Sequence, residues 1–136
     1  VDKQHIEKYI GISKDYNTFE LQNAIGMGHF TKAFQITKFL NTNPRENPVF
    51  LVLGSLHNYF QKLILLKSGA NEMSKVGINP YFFGEYKKAA ERFSVKQISQ
   101  ALEYIMKADL ESKGIRGSNK KNTSILEELV IKLFSI

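Results

Sequence analysis

Asn47-Pro48-Val49-Phe50-Leu51-Val52-Leu53-Gly54-Ser55-Leu56-His57-Asn58-Tyr59-Phe60-Gln61-Lys62-Leu63-Ile64-Leu65-Leu66-Lys67-Ser68 is the stretch around which the rest of the chain is expected to fold. Asn47 is a good N-cap, and Pro48 suits the first helical position, where a missing N–H costs nothing. Ser55, Asn58, Gln61 and Lys62 recur every three or four residues and fall on one narrow polar stripe. Phe50, Leu51, Leu53, Leu56, Phe60, Leu63 and Ile64 cover the remaining circumference, the pattern of a helix buried nearly all round. At about 1.5 Å per residue such a helix is roughly 33 Å long, enough to cross a small domain. His57, Asn58, Gln61 and Lys62 interrupt it well before the roughly 20 apolar residues that a bilayer requires, so no membrane role is expected.

Working outward, the 136 residues suit one main domain with a real core. Hydrophobic residues at 43% and charged residues at 24% are ordinary for a globular chain. The absence of cysteine excludes disulfides, zinc-thiolate sites and cysteine nucleophiles, and makes the cytoplasm the expected compartment. Val1-Asp2-Lys3-Gln4-His5 reads like the interior of a longer protein rather than a leader. The net charge of +6 allows an acidic partner, yet the charges are spread along the chain.

The spacing of Ile6, Tyr9 and Ile10 predicts a short helix over 2–10. Asn17 with Glu20 three residues on, flanked by Tyr16 and Leu21, predicts a capped and stapled helix start. Its stop is expected at Gly26-Met27-Gly28. Phe30, Ala33, Phe34, Thr37 and Leu40 mark a third helix, and residues 41–46 form a turn into the long one. A short helix through Met73 and Val76 follows, and then one capped by Asn79-Pro80 with Ile78 and Phe83 as staple. Ser94 and Gln97 form a further capping box between Phe93 and Ile98. Gly114 to Asn122 reads as a loop, and Ser124 with Glu127 caps a last helix striped by Ile125, Leu126, Leu129, Val130, Leu133 and Phe134. No stretch alternates with period two, so the expected fold is all-α, with six or seven helices around the long one.

Chemistry is sparse. His5, His29 and His57 lack partners at metal-ligand spacing, and no phosphate loop or nucleophile elbow is present. No catalytic, metal or cofactor residue is assigned. Asp109 continues the Ile98, Leu102, Ile105 stripe in phase, which sets a carboxylate at the edge of an apolar face, with Lys113 four residues on as a partner. That pair is expected to be a structural anchor. Tyr81 and Tyr86, beside Lys87, Lys88 and Arg92, and the basic stretch of Lys113, Arg116, Lys120 and Lys121 are candidate DNA contacts, set against the reading of core aromatics and a solvated loop.

Phe19-Glu20-Leu21-Gln22-Asn23-Ala24-Ile25, the Gly28 to Ala33 helix start, Pro48 with Leu51 and Leu53, Gly77-Ile78-Asn79-Pro80, Ala89-Ala90 with Phe93-Ser94, and Asp109 to Lys113-Gly114 occur in an order that resembles the C-terminal part of the delta subunit of bacterial DNA polymerase III, a component of the sliding-clamp loader. The resemblance implies that residues 17–136 are a helical collar domain and 1–16 the remnant of a preceding lid domain and linker. It implies assembly with the other loader subunits through their collar domains, during DNA replication. Contact with primer-template DNA is a further expectation, and contact with the sliding clamp would belong to an ATPase-like N-terminal module that this sequence lacks. The fragment itself would carry no catalytic site, while its parent would belong to the polymerase III holoenzyme, a DNA-directed DNA polymerase and nucleotidyltransferase. Ser55, Asn58, Gln61 and Lys62 then become candidate subunit contacts. The rival is a stand-alone helical DNA- or RNA-binding regulator, although no helix-turn-helix pair is evident.

Overall fold

Side-chain caps mark the starts of two of the α-helices and of one 3-10 turn. In the computed structural model, which describes residues 16–69, 77–114 and 121–136, helix α1 spans Thr18–Met27, and the Asn17 side chain accepts the Glu20 N–H at 2.8 Å. Gly28 ends the helix with φ 78°, the left-handed conformation that glycine adopts without strain. The His29 N–H then reaches Ala24 O at 2.8 Å and the Gly28 N–H reaches Ile25 O at 3.2 Å, so two terminal carbonyls are satisfied.

Helix α2, Phe30–Asn41, buries Ala33, Ile36, Thr37 and Leu40. The buried Thr37 hydroxyl donates to Ala33 O at 2.8 Å, which removes the cost of leaving it without a partner. Helix α3 is Val49–Lys67. A 3-10 turn over Pro80–Phe82, capped by Asn79 accepting the Tyr81 N–H at 2.9 Å, leads into α4, Phe83–Arg92. Helix α5, Val95–Ser112, opens with a complete capping box. Ser94 Oγ accepts the Gln97 N–H at 3.1 Å, and Gln97 Oε1 accepts the Ser94 N–H at 2.9 Å. The flanking Phe93 and Ile98 are both buried, as a staple requires. Helix α6 is Asn122–Leu133, and the described residues contain no strand.

Two helix starts differ from expectation. Asn47 does not cap α3; its amide donates to Asn43 O at 3.3 Å, and Pro48 is the boundary residue, with its carbonyl accepting the Leu51 and Val52 N–H groups at 3.0 and 3.2 Å. Helix α6 begins two residues before Ser124, flanked by Lys121 without a side-chain cap. At the start of α1, Tyr16 packs on the Phe39 ring, centroids 5.6 Å apart. The expected helices over 2–10 and through Met73 and Val76, and residues 115–120 of the basic loop, lie outside the described residues.

The helices close a circuit: α1 packs on α2, α2 on α6, α6 on α5, α5 on α3, α3 on α4, and α4 back on α1. Each contributes one face to a shared core, including Leu21, Ile36, Leu56, Ala89, Ile98 and Val130, all fully buried. Helix α3 also touches α1, and its contact with α5 is the most extensive in the fold. It is therefore a wall of the circuit rather than an axle enclosed by it. This corrects the expectation of a helix buried all round: Val52, Leu53, Leu56, Tyr59, Phe60 and Leu63 are buried, while Phe50, Leu51 and Leu65 are exposed.

Candidate subunit interface

The outward face of α3 carries Phe50, Leu51, Gly54, Asn58, Gln61 and Leu65, all exposed. Phe50 and Leu51 show 59% and 56% of their surface to solvent. The positions 51, 54, 58, 61 and 65 are separated by steps of three and four, the spacing of a seam that a second helix can follow. Lys62 is the one charged side chain between Val49 and Leu66, and it turns aside, with its Nζ 5.9 Å from the centre of the Tyr86 ring. The outward face is accordingly uncharged. By length and composition α3 could cross a membrane, but its inner half is packed against α1, α4 and α5.

Beside this face, α3 and α5 leave a groove of about 330 Å³ lined by Phe50, Leu53, Gly54, His57, Ile105, Met106 and Asp109. Met106 is 59% exposed, so the apolar surface continues across the groove onto α5. At the groove edge Asp109 accepts a bond from Lys113 Nζ at 2.8 Å. Lys113 is mostly solvated and Asp109 partly so, which limits such an i,i+4 pair to about 0.3–0.5 kcal/mol.

The sequence-derived contact residues Ser55, Asn58, Gln61 and Lys62 do not share one surface. Ser55 Oγ faces inward and donates to Gln22 Oε1 at 3.4 Å, and Lys62 lies over Tyr86. Only Asn58 and Gln61 are exposed. The four-residue stripe overlaps the outward face but is rotated toward α1 and α4.

The candidate DNA contacts separate similarly. Tyr81 is 85% exposed and packs edge-on against Phe82, centroids 5.0 Å apart. Tyr86 is buried, and its hydroxyl accepts from Gln22 Nε2 at 3.0 Å, so its ring is closed to a stacking base. That corrects the pairing of the two tyrosines as one surface. Lys113 and Lys121 are exposed, whereas Arg116 and Lys120 lie outside the described residues.

Sequence reasoning missed a polar cluster between α1, α3 and α4. Gln22 bridges Ser55 and Tyr86, and the ring of Tyr59 lies 5.1 Å from that of Tyr86. Burial, with smaller contributions from Tyr86 and Glu85, raises the Tyr59 ionisation well above the usual tyrosine range, and Arg92 opposes it. Burial also raises Tyr86, against the bond from Gln22. The Arg92 guanidinium donates to Gly26 O near the C-terminal end of α1, which adds a cation where the helix dipole favours one. The hydrogen-bonded partners in this cluster are 33 to 66 residues apart, so no local pattern signals them.

These features define an all-helical domain whose longest helix leaves an uncharged face and an adjacent groove uncovered. Among the described residues no group of His, Cys, Asp or Glu could hold a metal ion. A family model described as DNA polymerase III delta subunit, C-terminal domain, matches residues 15–133, and the chain belongs to that family. No curated protein and no solved structure matches it.

Proposed function

We propose that this chain is a non-catalytic assembly domain of a DNA polymerase III clamp loader, a collar that joins the delta subunit to the other loader subunits. Membership of the delta C-terminal family carries the reading, and the uncharged, half-apolar outward face of α3 supports it. Exposed apolar surface of this kind favours burial against another protein. The domain would act by holding neighbouring subunits in a fixed orientation, and the closed circuit of helices would make it rigid enough to do so. Its place of action would be the cytoplasm, with clamp contact left to a module outside this sequence. The test is sedimentation velocity of the chain mixed with the remaining loader subunits. A joint, faster-sedimenting species is expected, and separate boundaries at high micromolar concentration would refute the reading.

A stand-alone nucleic-acid-binding regulator draws only on exposed groups such as Tyr81, Lys113 and Lys121. It would appear as salt-dependent DNA binding without affinity for loader subunits.

A further inference from the structure

Gly54 lies mid-helix in α3, and a β-carbon built there meets no atom within 4 Å. Its backbone does not have the positive φ that would call for glycine. Glycine in a helix interior costs roughly 0.5–1 kcal/mol relative to alanine, and nothing inside the described fold requires that cost. What a missing side chain offers outward is close approach. The bare backbone of Gly54 also forms part of the α3–α5 groove, between Phe50 and Met106.

We infer that a helix from a neighbouring loader subunit lies along the Leu51, Gly54, Asn58, Gln61, Leu65 strip, nearly parallel or antiparallel to α3, and seats one apolar side chain in the groove beside Gly54. The inference rests on the assembly reading and names its surface. Steps of three and four place these positions in line with a partner crossing at about 20°. The partner strip is uncharged, because a charge there would be desolvated with no counter-charge on the outward face of α3. It is apolar opposite Leu51 and Leu65, and it carries an amide or hydroxyl opposite Asn58 and Gln61, whose amides would otherwise be buried without partners.

The size of the exposed surface limits what this strip can hold alone, and net charge favours a different subunit over a second copy of this chain. Phe50, Leu51 and Met106, with Leu65 further along the strip, together leave on the order of 400 Å² exposed, the size of the largest apolar patch on a typical monomer. That is short of the roughly 800 Å² per partner of a standard stable interface, so the partner must also reach beyond the strip. Two copies would bring together two chains that each carry a net charge of +6.

The test compares Gly54→Gln with Gly84→Gln. Gly84 is also helical and exposed, with nothing within 4 Å of an added β-carbon, so both substitutions are compatible with the fold. Thermal melting of both variants checks that the fold is kept. Sedimentation velocity with the remaining loader subunits should then show Gly54→Gln binding about tenfold or more weakly than the parent chain, with Gly84→Gln unchanged. Equal binding by Gly54→Gln and the parent would overturn this inference and leave the assembly reading standing. No binding by the parent would overturn both. Concentration-dependent dimers of the parent alone, lost in Gly54→Gln, would replace the proposed partner with a second copy and so refute it as stated.

Discussion

The phenolic hydroxyl of Tyr59 rests against the backbone of Gly26, in the space that a β-carbon at that position would need. The Ala89 β-carbon lies only 3.0 Å from the same point, so α1, α3 and α4 meet there with no spare room. Gly26→Ala should therefore destabilise the fold by about 1–3 kcal/mol, the usual cost of overpacking, despite the better helix propensity of alanine. In the Tyr59→Phe background the loss should shrink, because the obstructing oxygen is gone. A double-mutant cycle from urea unfolding measures the coupling. Tyr59→Phe alone should be neutral or stabilising by about 1 kcal/mol, since the buried hydroxyl has no hydrogen-bond partner among the described residues.

Alkaline stability should follow from the same buried tyrosines. Tyr59 and Tyr86 both ionise above the ordinary tyrosine value of 10.0, chiefly because burial disfavours the phenolate. Above that value the unfolded chain loses protons that the folded chain keeps, so the native state binds more protons there. Their contribution is fully present below the unfolded value and is lost as pH rises beyond it. The unfolding midpoint should hold steady between about pH 8 and pH 9.5 with respect to these groups, then fall. The fall should be shallower in Tyr59→Phe, and a midpoint insensitive to that substitution would contradict the assignment.

Leu56 and Leu51 lie on the same helix but on opposite faces, 0% and 56% exposed. Leu56→Ala should cost about 2–5 kcal/mol through lost burial and a cavity. Leu51→Ala should stay within about 0.5 kcal/mol of the parent. Equal losses would mean that α3 is enclosed after all.

Arg92 joins the end of α4 to the end of α1. Its guanidinium donates to Gly26 O, covers Gly28 and lies 5.6 Å from the Phe93 ring centre. Arg92→Ala should destabilise by about 1–2 kcal/mol, through a lost charge-assisted bond and lost packing. Arg92→Lys should recover only part of this, because an ammonium lacks the planar fork and the spread contact area of a guanidinium. Thermal unfolding of the two variants distinguishes these outcomes.

What was legible in the sequence was mostly local. Asn17, Asn79, the Ser94–Gln97 box and the Gly28 stop act within four residues of themselves, so side-chain chemistry alone located them. The all-α class followed because apolar spacing repeats with the helical period in every long segment. What escaped was which apolar face turns inward. Phe50, Leu51 and Leu65 have the same chemistry as Leu53, Leu56 and Leu63, and only the position of α3 as a wall of the circuit separates them. The inward turn of Ser55 depends on Gln22, and the burial of Tyr86 on the packing of α4 against α1, relationships between remote segments. Gly54 gave no signal because a glycine is informative only once its surroundings are known to be empty.

The proposed role of this chain is joining loader subunits rather than binding nucleic acid alone. It is tested most directly by two titrations of one labelled sample, one with the remaining clamp-loader subunits and one with primer-template DNA, followed by sedimentation velocity. A discrete complex with the subunits in the absence of DNA is expected. Tight, salt-dependent binding to DNA with no complex formed with the subunits would contradict it.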